Sequence, residues 1–282
     1  MNFIKKIIGA GIIATASIAL TGCVNFYGTY ANADKYLVGT QYYDGELTTL
    51  DIDWTSGKVT LIQDESAQQI TVREDNNLED DKKVHSYFND GTLSIKYCKS
   101  GLSFSKIWPE DKQLFVTFPK LTNLDLDITS GSATINKLDV EKIDISVTSG
   151  SVDLEQATAK DVKCKITSGN LNLGIIKTEL FTSKLTSGKT TIDSLSTKEG
   201  TFNSTSGNLK VNVESADKLS FGVTSGDIDL TIPEAGAAVT VNKTSGKFNS
   251  TREHTVSNNV YTFGDGSCTI SIKVTSGNIT IR

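Results

Sequence analysis

The triplet Thr-Ser-Gly occurs nine times in this chain, ending at Gly57, Gly131, Gly150, Gly169, Gly188, Gly207, Gly226, Gly246 and Gly277. From Gly131 to Gly226 the spacing is 19 residues, five times running; the next step is 20 and the last is 31. A beat this regular restricts the fold to an array of small units, each too small to bury its apolar face without a neighbour. The residues between triplets define the unit. Before the glycine, apolar residues alternate: Leu124, Leu126, Ile128; Ile143, Ile145, Val147; Val162, Cys164, Ile166; Leu219, Phe221, Val223. After it the alternation resumes: Ala133, Ile135; Val152, Leu154; Leu171, Leu173; Leu209, Val211; Ile228, Leu230. Period two marks strands with one buried face, and β-branched residues suit them.

Each repeat therefore reads as strand, tight corner, strand, then a second corner near residues such as Asp139 or Glu155. Stacking places equivalent positions about 4.8 Å apart, with hydrogen bonds along the stack and inward ladders of Ile, Val and Leu. The predicted fold is an all-β, parallel β-helix-like β-solenoid with 19-residue coils, two short strands per coil and Thr-Ser-Gly corners. The seven steps from Gly131 to Gly277 predict a length of about 34 Å. Glycine at the corner can take positive φ, and the small Thr and Ser side chains can hydrogen-bond to turn backbone or to the next coil.

The N-terminus carries an address. Residues 1–23 read MNFIKKIIGAGIIATASIALTGC, with a basic head at Lys5 and Lys6 and a 14-residue apolar run from Ile7 to Leu20. That run suits a secretory signal and is short for a membrane span. Leu20-Thr21-Gly22-Cys23 resembles the lipobox of bacterial lipoproteins. The resemblance implies cleavage before Cys23, a diacylglycerol on its sulfur, and stable anchoring on the outer side of a bacterial membrane. The expected organisation is a signal peptide over 1–22, a lipidated Cys23 and tether over 23–46, irregular N-terminal coils or a cap over 47–123, and the regular solenoid over 124–282. Five of the eight tyrosines (Tyr27, Tyr30, Tyr36, Tyr42, Tyr43) lie in the tether segment, whose distal part is expected to pack on the first coil.

Residues 47–123 follow the same grammar less regularly. Leu50, Ile52 and Trp54 precede Thr55-Ser56-Gly57, and the acidic stretch Glu74 to Lys83 reads as a solvated loop. Near the other end Lys243 falls on an inward slot, which suggests a one-residue bulge turning it outward. The long final interval predicts an excursion over 252–267, with a hairpin at Asn258-Asn259 and a return through Gly264-Asp265-Gly266.

These features together resemble the bacterial putative-adhesin family of repetitive β-solenoid domains, known otherwise as a domain of unknown function. The resemblance covers roughly 47–282. It rests on Leu50-Asp51-Ile52-Asp53 before a Ser-Gly corner, Gly91-Thr92-Leu93, Phe115-Val116-Thr117-Phe118-Pro119, and the close Ser276-Gly277-Asn278-Ile279-Thr280-Ile281. It implies a cell-surface role, in adhesion or envelope-stress signalling, and brings no active-site residues with it.

The chemistry of the chain is sparse. Its net charge is −5, and without the first 22 residues it is −7, so no positive footprint marks a nucleic-acid binder. His85 and His254 lie 169 residues apart, outside any acid–base motif, and are expected at the surface. Cys164 and Cys268 occupy inward slots about five coils apart, roughly 24 Å, too far for a disulfide, so both are expected reduced. Cys98 follows the inward Tyr97 and is expected to face out. The second residue before each Thr is never Thr, unlike an ice-binding array, and no continuous Asp ladder or nonapeptide motif supports calcium. Asp125, Asp127 and Asp144 could form a carboxylate cluster of the kind a carbohydrate-active enzyme needs, and they also fit plain solvated ladder positions.

The expected function is thus non-enzymatic, without metal or cofactor. A lipid-anchored, extracytoplasmic solenoid would present a rigid face to a glycan, matrix protein or cell-wall polymer. The alternative is a regulatory or envelope-stress lipoprotein acting on a membrane protein. The third reading, a carbohydrate-active enzyme, would use the three aspartates.

Overall fold

The computed structural model describes residues 29–75, 78–101 and 112–282. Within them the protein is all-β, and its strands join one sheet. The 3-10 turns Ala33–Lys35 and Asp80–Lys82 are its only helical elements among the described residues. The signal segment and Cys23 lie outside the described residues.

Asn123–Asp139 and the 84-residue Lys142–Ser225 each run as one unbroken strand. The reason is that parallel pairing between levels continues almost without interruption along the chain. Asn123 to Asp139 pairs in parallel with Lys142 to Thr158, always with the partner 19 residues on. Ser130, Gly131 and Ser132 stay in register with Ser149, Gly150 and Ser151 through the triplet itself. Side chains repeat the offset. Asn172 Nδ2 donates to Asp153 Oδ1 (2.7 Å) and Thr231 Oγ1 to Asn212 Oδ1 (2.9 Å). Buried Thr178 Oγ1 lies 3.0 Å from the Lys160 carbonyl oxygen and 2.9 Å from that of Leu180. Thr197, nineteen residues later, repeats this arrangement against Glu179 and Glu199.

The inward ladders form one continuous core. Where they depart from Ile, Val and Leu, they compensate in volume. Phe181, Phe202 and Phe221 stack with ring centroids 5.2 and 4.6 Å apart. Gly200 empties the slot between Phe181 and Leu219, and a Cβ there would lie 2.6 Å from Leu219 Cδ2 and 3.2 Å from Phe202 Cε2. Ser183, beneath the Phe202 level, is fully buried in the same column. Large and small residues alternate so that the levels interdigitate.

Sequence order and spatial order part at both ends. Thr49–Trp54 pairs in parallel with both Thr92–Lys96 and Asn123–Asp139, and Lys58–Gln63 with both Gln113–Phe118 and Asn123–Asp139. The first level of the chain is thus enclosed, and the second lies outside it. The other end mirrors this. Cys268–Ser276 pairs with both Lys142–Ser225 and Gly236–Ser245, and Ile279–Ile281 with both Ile228–Thr231 and Phe248–Ser250. The last level enters between its two predecessors. Polar side chains follow the spatial order: the Asn278 amide donates to Asp227 Oδ1 (2.7 Å) and the Lys247 amide to Asn278 Oδ1 (3.1 Å). Gly169 and Gly277 are consequently four levels apart, not five. A strand hydrogen-bonded on both sides frays less than an edge, so the exchange protects the first and last levels of the array in chain order.

Antiparallel pairing closes the outer edges. His85–Asn89 covers Thr92–Lys96 through a hairpin whose central residues, Asp90 and Gly91, have φ 47° and 74°. Ile70–Glu74 covers Gln113–Phe118, and Gln41–Tyr43 and Leu37–Val38 add outside them. At the other end Val260–Gly264 covers Gly236–Thr240 and turns back to Thr255–Ser257 through Asn258 and Asn259, with φ 49° and 65°. Both turns have the type I′ signature that suits twisted hairpins.

Three local expectations change. Lys243 shows no bulge: it stays in register with Val274, is exposed because its level is outermost, and donates to the Gly246 carbonyl (3.0 Å). The additional residue of that repeat lies between Thr231 and Ala237, where the offset to the preceding level changes. The acidic stretch is not wholly solvated. The Glu74 side chain is 2% exposed and meets Lys112, at 0%, with Nζ–Oε1 2.9 Å. Lys112 Nζ also donates to the carbonyls of Lys82 (2.6 Å) and Tyr97, and lies over the Trp54 and Tyr97 rings. Cys98 is buried, not outward.

Candidate functional site

The triplet glycines set how closely the levels beside them stack. An added Cβ at Gly150 would stand 1.8 Å from the Gly131 carbonyl oxygen. The same approach, at 1.9 to 2.4 Å, holds for Gly131 on Gly57, Gly169 on Gly150, Gly188 on Gly169, Gly226 on Gly207, Gly277 on Gly226 and Gly246 on Gly277, whereas a Cβ at Gly207 would meet Leu185 Cδ2 at 2.6 Å and the Gly188 carbonyl oxygen at 2.8 Å. Gly57 meets the carbonyl of Lys112 at 2.1 Å. Gly131 and Gly207 do not have positive φ, whereas the other seven do. Close stacking, more than backbone conformation, is what all nine share. With no Cβ to hold levels apart, the Thr and outward residues of successive levels align into columns.

One column contains Asp51, Asp125, Asp144 and Lys163 in spatial order. The next contains Lys96, Asp53, Asp127 and Ser146, then continues through Lys165, Lys184, Asn203, Gly222 and Lys273. This face is acidic toward the N-terminal end and basic toward the C-terminal end.

In the acidic half the sequence-expected residues Asp125, Asp127 and Asp144 do come together, and Asp51 and Asp53 join them. Desolvation first, then the neighbouring Asp127, Asp144 and Asp51 charges, push the Asp125 carboxyl above its ordinary value of 3.8. Asp53 is raised as well, by desolvation against the opposing pull of Lys96. Lysines bound the patch: Lys96 Nζ is 3.2 Å from Asp51 Oδ2, and Lys163 Nζ is 3.2 Å from Asp144 Oδ2. Among the described residues no group of three His, Cys, Asp or Glu side chains converges to hold a metal ion. Asp51 and Asp53 were legible: Leu50-Asp51-Ile52-Asp53 repeats the Leu124-Asp125-Leu126-Asp127 pattern, but the irregular spacing hid that the two segments are neighbours.

In the basic half a groove of about 580 Å³ opens along the columns. Lys165, Lys184 and Lys273 flank it, Thr186, Thr205, Thr224 and Thr275 line it, and Gly222 leaves its floor without a side chain.

The other singled-out residues lie elsewhere. Cys164 and Cys268 are buried free thiols, which burial pushes up to about 12 and about 11. His85, expected at the surface, is 5% exposed; desolvation lowers its pKa, and Nδ1 lies 3.0 Å from the Lys83 carbonyl oxygen. His254 is exposed and packs against Tyr261 and Phe263. In the tether segment, Tyr30 donates its hydroxyl to the Cys98 carbonyl (3.0 Å), and its ring lies against Tyr36, which lies against Tyr87.

The fold and this face define a class first: an all-β array with parallel levels and a columnar surface. The family model described as Toastrack DUF4097 matches residues 47–282, and the chain belongs to that family, the domain of unknown function that its sequence resembles. Solved structures share the fold. A putative lipid binding protein of Parabacteroides distasonis ATCC 8503 is 18% identical, with TM-score 0.53 over 86% of this chain and 96% of that one. A putative adhesin of the same organism is 13% identical, with TM-score 0.55 over 87% and 97%. A putative adhesin of Parabacteroides merdae ATCC 43184 is 15% identical, with TM-score 0.51 over 87% and 96%. None of the curated proteins matches the chain.

Proposed function

We propose that the repeating unit is a 19-residue β-solenoid coil with Thr-Ser-Gly at one corner, and that the array serves as a non-enzymatic, lipid-anchored binding surface outside the cell. The signal over 1–22 directs export, and Cys23 carries the lipid. The observation that supports a binding role is the columnar face: rigid backbone, small exposed Thr and Ser side chains, and charges fixed in register. A surface held by ladder hydrogen bonds needs little ordering on contact, which favours recognition of an extended partner. Two of the structures that share the fold are named putative adhesins, in keeping with this reading. The carboxylates of the acidic half serve here as ladder residues balanced by Lys96 and Lys163.

Two measurements test the reading. Labelled fatty acid should enter the wild-type protein and not Cys23→Ser; labelling independent of Cys23 overturns the anchor. Cells carrying the protein should adhere to an immobilised glycan, matrix or cell-wall surface and lose adherence on deletion. Unchanged adherence, with co-purification of a membrane sensor instead, overturns the adhesin-like role.

A further inference from the structure

We infer that the groove between Lys165, Lys184 and Lys273 is the binding site, and that its ligand is a linear anionic polysaccharide lying along the coil stack. The inference deepens the surface-binding proposal above and rests on it.

The starting point is how this array handles charge elsewhere. Lys160 lies 2.6 Å from Glu141, Lys163 3.2 Å from Asp144, and Lys198 3.1 Å from Glu179. In each pair the acid is 19 residues earlier, one level away, which neutralises the ladder. Like the column of Asp51, Asp125 and Asp144, the groove column puts like charges on adjacent levels. Lys184 stands one level from Lys165, so like charges are stacked at strand spacing, where they repel. Among the described residues no carboxylate lies within ion-pair distance of Lys165, Lys184 or Lys273. Three uncompensated ammonium groups on a protein of net charge −5 form a local anion site that the overall charge would otherwise oppose.

The shape of the groove narrows the ligand. Asn203 and Gly222 separate Lys184 from Lys273 by about three strand spacings, roughly 14 Å, so with Lys165 the charges span about four, roughly 19 Å. A single small anion cannot bridge that distance, whereas a chain with repeated anionic groups can. The lining supplies hydroxyls from Thr186, Thr205, Thr224 and Thr275 and an amide from Asn203. These are the donors and acceptors that sugar hydroxyls require. Gly222 gives a saccharide ring room to approach the backbone, since a Cβ there would meet only the Asn203 side-chain oxygen at 2.9 Å.

The test uses the full chain and dextran sulfate, with neutral dextran as control, followed by calorimetry or affinity electrophoresis. Wild type should bind dextran sulfate, weaken with salt, and ignore neutral dextran. Lys165→Glu/Lys184→Glu should weaken binding by roughly tenfold or more through loss of charge contacts. Gly222→Leu should weaken it with all lysines intact. Lys160→Glu and Lys198→Glu, in the paired ladders, should leave it unchanged. Equal losses from the paired and groove lysines, or full binding by Gly222→Leu, would overturn the inference. Should the purified protein fail to bind while cells still adhere through it, this inference falls and the surface role stands; if cells also fail to adhere, both fall.

Discussion

Replacing Gly150 with Ala should unfold the middle of the array, and the structure says by how much. The new Cβ would lie 1.8 Å from the Gly131 carbonyl oxygen, 2.9 Å from its carbonyl carbon and 3.0 Å from its nitrogen. These are backbone atoms of a neighbouring level that cannot rotate away. To reach even 3.0 Å, the tightest separation that real Cβ atoms show, the levels must separate by more than an ångström at the corner. The ladder bonds of Ser149, Gly150 and Ser151 then fail, each contributing about 1 kcal/mol net. Alanine at the glycine's φ of 138° adds about 1–3 kcal/mol of backbone strain. The expected loss is on the order of 4–6 kcal/mol, read as a shift of the urea midpoint with circular dichroism. Gly222→Ala is the matched control. Its φ is not in the left-handed region, and its Cβ meets one flexible side-chain tip, so its stability should change by less than about 0.5 kcal/mol. Similar midpoints for the two variants would refute the stacked-glycine reasoning.

Further outcomes follow from the core and the charged sites. Phe202→Ala removes the central ring of the aromatic stack and should cost about 3–5 kcal/mol in the same urea assay, more than Phe221→Leu. Lys112→Met leaves the Glu74 carboxylate buried without its partner and should cost about 3–5 kcal/mol, with much of it recovered in Lys112→Met/Glu74→Leu. Asp125 has a raised pKa in the fold, so it binds its proton more tightly folded than unfolded. Its ionisation therefore destabilises the fold as pH rises above 3.8. Asp125→Asn should accordingly be more stable than wild type at pH 7 and equal to it below that value, as followed by thermal melts across pH.

What could be read from the residues depended on regularity. Between Leu124 and Ser225 most inward residues announce themselves by period two, and the repeat by Thr-Ser-Gly, because each level there touches levels like itself; the buried Ser183 and Thr190 gave no such signal. The reason for glycine was only half legible: positive φ is a property of one residue, whereas the carbonyl that fills the place of its Cβ belongs to another level. The exchanged order at the ends was not legible at all. Gly277 fits equally well on Gly226 or Gly246 by pattern, since parallel pairing needs only matching alternation. Lys243 held the clue. A lysine in an inward slot that meets no buried carboxylate, as Lys112 meets Glu74, is tolerated only where the level has no neighbour beyond it, which marks that level as outermost. Lys112 gave no sign in the sequence that it turns inward beneath Trp54 and reaches Glu74. The acidic patch was visible as three aspartates and became five once the first level was known to lie against the third.

Disulfide trapping tests the stacking most directly. Ser225 is in register with Ser276, and Ser276 with Ser245. Adjacent levels lie about 4.8 Å apart, within disulfide reach, whereas alternate levels lie about 9.6 Å apart and beyond it. Oxidised Ser225→Cys/Ser276→Cys and Ser130→Cys/Ser149→Cys should each close a crosslink that peptide mapping locates, while Ser225→Cys/Ser245→Cys should stay reduced. A crosslink between positions 225 and 245 with none between 225 and 276, or none between 130 and 149, would contradict the account.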